Sequence, residues 1–212
     1  DDRKLGLESK SLLKINPRLI IGKISGFGDQ SDRVAYDLIL QAETGFMSMN
    51  GTKDSGPIKM PVALIDVLAG HQLKEGILLA LMERQLTGKG REVSVSLYDA
   101  AICSLANQAS NYLMTGHVAQ RIGSLHPNIA PYGELFKTKD GATLTFAIGS
   151  DNHFEKFTTE LGVPELARDA RFVHNQQRLE NREILFALLE TLIYQFDSEQ
   201  LLANLHLKHV PC

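Results

Sequence analysis

The spacing of apolar positions changes along this chain, and each spacing predicts an element. Leu12, Leu13 and Ile15 predict a short helix over residues 8–15, ended by Asn16-Pro17 because the residue before proline avoids the helical region. The compact run Leu19-Ile20-Ile21-Gly22-Lys23-Ile24 predicts a buried strand, broken by Gly26-Phe27-Gly28. A helix is expected over 36–47, then a loop over 50–61, where Gly51, Gly56, Pro57 and Pro61 cluster. The strongest helical pattern covers 66–86. There Leu68, Ala69, Leu73, Ile77, Ala80 and Leu81 fall on one stripe, and Gly88 and Gly90 lie just past the end. Val93-Ser94-Val95-Ser96-Leu97 alternates with period two, as a strand does, and a helix is expected over 100–113.

Beyond an irregular stretch over 116–131, two β-rich runs, 132–136 and 143–148, flank Lys139-Asp140-Gly141, a hairpin signal. Helices are expected over 151–161, 178–195 and 198–207. Helix, strand and glycine turn in this order predict an α/β fold with a parallel sheet, followed by a small α+β unit. The change falls within 113–130, which gives domains of 1–115 and 116–212.

Composition narrows the functional classes. The chain has 212 residues, 43% hydrophobic and 22% charged, enough to bury a core. Its 22 Lys and Arg against 25 Asp and Glu give a net charge of -3, without the basic excess of a nucleic-acid binder. No uninterrupted apolar run is long enough to cross a bilayer, and Asp-Asp-Arg-Lys at the start has no apolar signal core. Two cysteines, Cys103 and Cys212, suggest no disulfide framework, so the cytoplasm or another reducing compartment, such as the mitochondrial matrix, is expected. The absence of an initiator Met and the stop at Val210-Pro211-Cys212 directly after a helical pattern suggest a fragment of a longer chain.

Asp66 stands where the loop ends and the strong helix begins. Aspartate is favoured there as an N-cap. The same place suits a nucleophile, because helix N-terminal amides and the helix dipole hold a carboxylate ionised and favour negative charge nearby. Gly26-Phe27-Gly28 lacks the third glycine of a dinucleotide loop and reads as a strand-to-loop turn. His206, His209 and Cys212 match no usual zinc spacing. His126 lies in a loop and reads as a histidine bonded to backbone. Lys4, Arg18 and Arg33 are isolated basic residues that read as solvated charges.

Five segments, taken together in order, resemble the class III CoA-transferases, the CaiB/BaiF family. They are Asn16-Pro17-Arg18-Leu19-Ile20 with Ile24 to Gly28; Arg33-Val34-Ala35-Tyr36-Asp37 with Gln41-Ala42 and Gly45-Phe46-Met47; Pro61 through Asp66 to Gly70; Arg84 to Gly90 with Val93 to Ala100; and His126-Pro127 with Ala130-Pro131-Tyr132 and Asp140-Gly141. The resemblance runs from about Lys4 to Cys212. It implies part of a large Rossmann-like domain plus a small α+β domain, in an interlocked homodimer whose subunits thread through each other. It implies acyl-CoA and a free carboxylic acid as substrates and no tightly bound cofactor, metal, nucleic-acid or membrane partner.

On this resemblance Asp66 falls on the catalytic aspartate, which passes CoA through an anhydride and an aspartyl-CoA thioester. Tyr36, Lys4, Arg33 and Gln41 fall on substrate- or CoA-binding positions. Val34 replaces a CoA-contacting lysine of one branch, and the glycine-rich run of the formyl-CoA branch is not visible between Gly116 and Pro131. The racemases of the family place a histidine base thirty positions before the aspartate. That position is Tyr36 here, and a phenol is a poor base near neutral pH. The alternatives are therefore a 2-methylacyl-CoA racemase, or an inactive relative that only binds CoA or assembles with another chain.

Overall fold

A computed structural model of the chain describes residue 2 and residues 4–212. It is a mixed α/β protein that divides into two units, one ending at Arg121 and one running from Ile122 to Cys212.

In the first unit, helix α1 (Ser9–Ile15) precedes strand β1 (Ile21–Ser25). Two short helices follow, α2 (Asp37–Glu43) and α3 (Phe46–Met49), then the long α4 (Leu64–Thr87). Strand β2 (Glu92–Ser96) returns parallel to β1, with Ile21 opposite Glu92 and Ser25 opposite Ser96. Helices α5 (Leu97–Cys103) and α6 (Ala106–Thr115) complete the unit. The parallel pairing across a helical connection is the βαβ arrangement that the apolar spacing predicts.

Three local predictions differ from what forms. The helix expected over 36–47 is two helices, because the Thr44 hydroxyl donates back to the Leu40 carbonyl at 2.6 Å and Gly45 turns left-handed with φ 92°. The helix expected over 100–113 starts at Leu97, under an N-cap from the Ser96 hydroxyl, and breaks after Cys103. The strand expected to be buried is only half-covered, with Ile24 48% exposed, because both strands of a two-stranded sheet are edges.

Leu40, Ile65, Ala69, Leu97, Ala100 and Ala101 form the buried core of this unit. Helix α4 turns Ala69 and Ala80 inward, while Leu78, Leu79, Met82 and Leu86 on its other side are more than half exposed. Gly88 ends it in the left-handed conformation, φ 71°, and donates its N–H to the Arg84 carbonyl.

In the second unit β3 (Tyr132–Lys137) and β4 (Thr143–Ala147) form the expected antiparallel hairpin, its turn carried by Asp140 and by Gly141 at φ 82°. Helix α7 (Asp151–Glu160), a 3-10 turn (Pro164–Arg168), α8 (Asn175–Glu180), α9 (Arg182–Ile193) and α10 (Ser198–Leu207) pack around it. The helix expected over 178–195 breaks at Asn181, whose side-chain amide bonds the Arg171 and Gln177 carbonyls instead.

Phe136, Phe146, Phe154, Phe157 and Phe172 fill the core with Leu185, Leu189, Ile193, Leu201 and Leu205. Arg178 is fully buried within it and donates to the carbonyls of Ala130 (2.8 Å) and Phe172 (3.0 Å) and to Asp151 (2.8 Å). A buried guanidinium is tolerated because its donors are occupied in this way. His126, read as a loop histidine bonded to backbone, accepts the Asn128 N–H on Nδ1 at 3.1 Å.

Candidate active site

The site is assembled where β1, α2 and α4 meet in the first unit. After β1 the chain crosses Gly26, whose carbonyl accepts the Tyr98 N–H at 3.0 Å. A Cβ at Gly26 would lie 2.2 Å from the Ala35 Cβ, so only glycine allows the two segments to touch. The contact fixes the segment that leads directly into Tyr36 and Asp37. Tyr36 adopts extended backbone, φ -138°, at the N-cap of α2, and its ring is 71% exposed.

Asp66 is not the N-cap of α4. Ala63 occupies that place and offers no capping side chain, and Asp66 sits at the third helical position. The cap comes from α2: Asp37 Oδ1 accepts the Ile65 N–H at 2.8 Å. Leu64 N–H bonds the Val62 carbonyl at 2.9 Å and Val67 N–H the Ala63 carbonyl at 3.2 Å. Asp66 N–H, the remaining amide of the first turn, has no partner among the described residues, and neither has the Asp66 carboxylate. The carboxylate is solvent-accessible. The protein packed around it, and next the charge of Asp37, push its pKa above the ordinary value.

Gln41, expected to meet substrate, is fully buried. Its amide nitrogen donates to Asp37 Oδ2 (2.6 Å) and to the Val62 carbonyl (3.3 Å), and its amide oxygen accepts the Met60 N–H (2.8 Å). Gln41 therefore ties α2 to the end of the loop that delivers α4. Arg33 lies on the surface. Its guanidinium stacks 4.0 Å over the Phe27 ring and is held by both oxygens of Glu43. Lys4 lies in an exposed turn ahead of α1. The structure thus bonds Asp37 and Gln41 to each other and to the start of α4, with Asp66 next to the bonded Ile65 and Tyr36 next to Asp37 in the chain.

Asp37 is the residue the sequence reading passes over. Its signal is indirect: Pro61-Val62-Ala63 contains no capping side chain, so the amides of this helix start find no cap in the residues just before it. No cluster of His, Cys, Asp and Glu suited to a metal occurs among the described residues.

Residues 2–212 match the model of CoA-transferase family III. The chain belongs to this family. A succinate–glutarate CoA-transferase of Agrobacterium fabrum is 35% identical over 98% of this chain and 52% of its own length. An acetyl-CoA:oxalate CoA-transferase of Acetobacter aceti is 35% identical over 98% of this chain and 54% of its own. Among solved structures, a CaiB/BaiF family protein from Brucella suis superimposes with a TM-score of 0.77 at 41% identity, covering 99% of this chain and 56% of that one. A Mycobacterium tuberculosis protein superimposes with a TM-score of 0.84 at 27% identity, over 99% and 56%. The chain thus spans about half the length of its family III relatives. The resemblance carried by the five segments is a true family relationship.

Proposed function

We propose that this chain is the central part of an enzyme that transfers coenzyme A between carboxylic acids, with Asp66 as the covalent nucleophile. The observation that carries this reading is the state of Asp66. Its carboxylate lies in the first turn of a long helix, exposed and unbonded, while another residue performs the capping its position invites. A carboxylate freed from structural work can attack a carbonyl carbon.

Asp66 attacks the thioester carbonyl of the donor and expels CoA thiolate, leaving a mixed anhydride. The thiolate then attacks the aspartyl carbonyl and expels the donor carboxylate, giving an aspartyl-CoA thioester. The acceptor carboxylate attacks that thioester and expels the thiolate, forming a second anhydride. The thiolate takes the new acyl group and Asp66 is released as a carboxylate. The cycle consumes no proton, so it needs no general base, and Tyr36 in place of a histidine fits that demand. The unpartnered Asp66 amide and the helix dipole are suited to the negative charge that builds up on oxygen.

The names of the relatives point to dicarboxylic acids. Succinate, glutarate, oxalate and D-citramalate appear in them, and we infer a short dicarboxylate as acceptor or donor here. In this reading Tyr36 and Lys4 contact CoA, Arg33 exchanges Glu43 for a phosphate, and Gln41 serves by holding the loop. The large domain is Rossmann-like and the assembly an interlocked homodimer. The unpaired cysteines fit a reducing compartment.

The test is a CoA-exchange assay on the full-length polypeptide with succinyl-CoA and a panel of dicarboxylates. Exchange is expected, falling roughly a thousandfold or more in Asp66→Ala. Racemisation of a 2-methylacyl-CoA without exchange, or CoA binding with neither activity, would contradict the proposal.

A further inference from the structure

We propose that Asp37 is a positioning residue for the Asp66 chemistry: it caps the helix of the nucleophile from a neighbouring helix and sets a second negative charge beside it. This inference rests on the transfer reading above. Its geometry is a three-way tie. One Asp37 oxygen holds the Ile65 amide (2.8 Å), the other holds the Gln41 side chain (2.6 Å), and Gln41 in turn holds Met60 (2.8 Å) and Val62 (3.3 Å). Met60 and Val62 in the loop before the helix, and Ile65, the residue before Asp66, are thereby fixed from α2. The tie is half-buried to buried, where such bonds keep most of their strength.

The division of labour matters for reactivity. An N-cap aspartate has its oxygens bonded to backbone amides, which stabilises the charge and lowers its nucleophilicity. Here that bond is made by Asp37, and Asp66 keeps both oxygens open. The nearby Asp37 charge then acts against ionisation of Asp66, in the direction that makes a carboxylate a stronger nucleophile. The other charged groups on elements packed against α4 are engaged elsewhere. Lys23 on β1 pairs with Glu92 on β2, Glu43 on α2 with Arg33, and Asp99 on α5 with the Ser96 hydroxyl. Beyond burial, Asp37 is the charged group that pushes the Asp66 pKa up.

Two substitutions in the full-length polypeptide separate position from charge. Asp37→Ala removes both; Asp37→Asn keeps an acceptor for the Ile65 amide and removes the charge. In Asp37→Ala the rate of Asp66 acylation by acyl-CoA should fall about a hundredfold, with KM for acyl-CoA within about twofold, as misplacement of a reacting group predicts. Asp37→Asn should recover most of that rate. It should also shift to lower pH the midpoint at which a diazo ester reagent, which consumes protonated carboxyls, labels Asp66 in peptide mass spectra. Acylation of Asp37→Ala at the wild-type rate overturns the inference. Should Asp37→Ala not fold, the labelling midpoint of Asp37→Asn decides, and an unchanged midpoint overturns it. A wild type that forms no acyl-Asp66 ends the transfer reading, and this inference with it.

Discussion

An aspartate at a helix N-cap is occupied by the backbone, whereas an aspartate two or three residues further on is not, unless something else reaches it. Asp66 has the second environment, and its raised pKa has a consequence for stability. A carboxyl whose folded-state pKa lies above the unfolded one makes the folded state less stable once ionised. That cost is present above the folded pKa and disappears as the pH falls through it towards the unfolded value. Asp66→Asn, which abolishes transfer in this account, should therefore melt slightly higher than wild type at neutral pH. Differential scanning calorimetry across pH should show the gain shrinking on acidification. A variant less stable than wild type at neutral pH would contradict the assigned environment.

At this scale the sequence singles out Asp66 and Tyr36 as candidates, through family motifs, but not what holds them. Gln41 was legible only as a motif position. Its burial depends on a contact with residues 60–62, which no local pattern encodes. Asp37 bonds an amide far along the chain, and a capping interaction between helices leaves no spacing signature.

Among the elements, the long helix α4 was the most legible, because its stripe repeats over many turns and two glycines follow it. The short elements were less so. A back-bonded Thr44 with Gly45 divides one expected helix, and Asn181 divides another; side chains that compete for backbone groups override a weak apolar period. Gly26-Phe27-Gly28, read as a mere turn, proves to be the contact that delivers Tyr36 and Asp37 to the site. Gly26→Ala should push the 31–36 segment away, at a cost of about 1–3 kcal/mol for forced overpacking. Its Tm should drop by several degrees and its exchange rate by more than tenfold. Unchanged activity would mean that this contact does not position the site.

For the whole molecule, the sequence pattern foresaw a parallel α/β part followed by a hairpin with helices, and both form. It did not foresee how unequal the two cores are. The second unit buries a cluster of phenylalanines and leucines around Arg178, while the first buries few large side chains and leaves Leu78, Leu79, Met82 and Leu86 of α4 exposed. Large apolar side chains exposed together on one helix face are the mark of a covered face, so more protein is expected over that face of α4 in the full-length polypeptide.

The full-length polypeptide is accordingly the material for the most direct test of Asp66 as nucleophile. It is incubated with acyl-CoA and hydroxylamine, then digested and mapped by mass spectrometry. The account predicts a hydroxamate at Asp66 that requires acyl-CoA. Active transfer with Asp66 unmodified would contradict it.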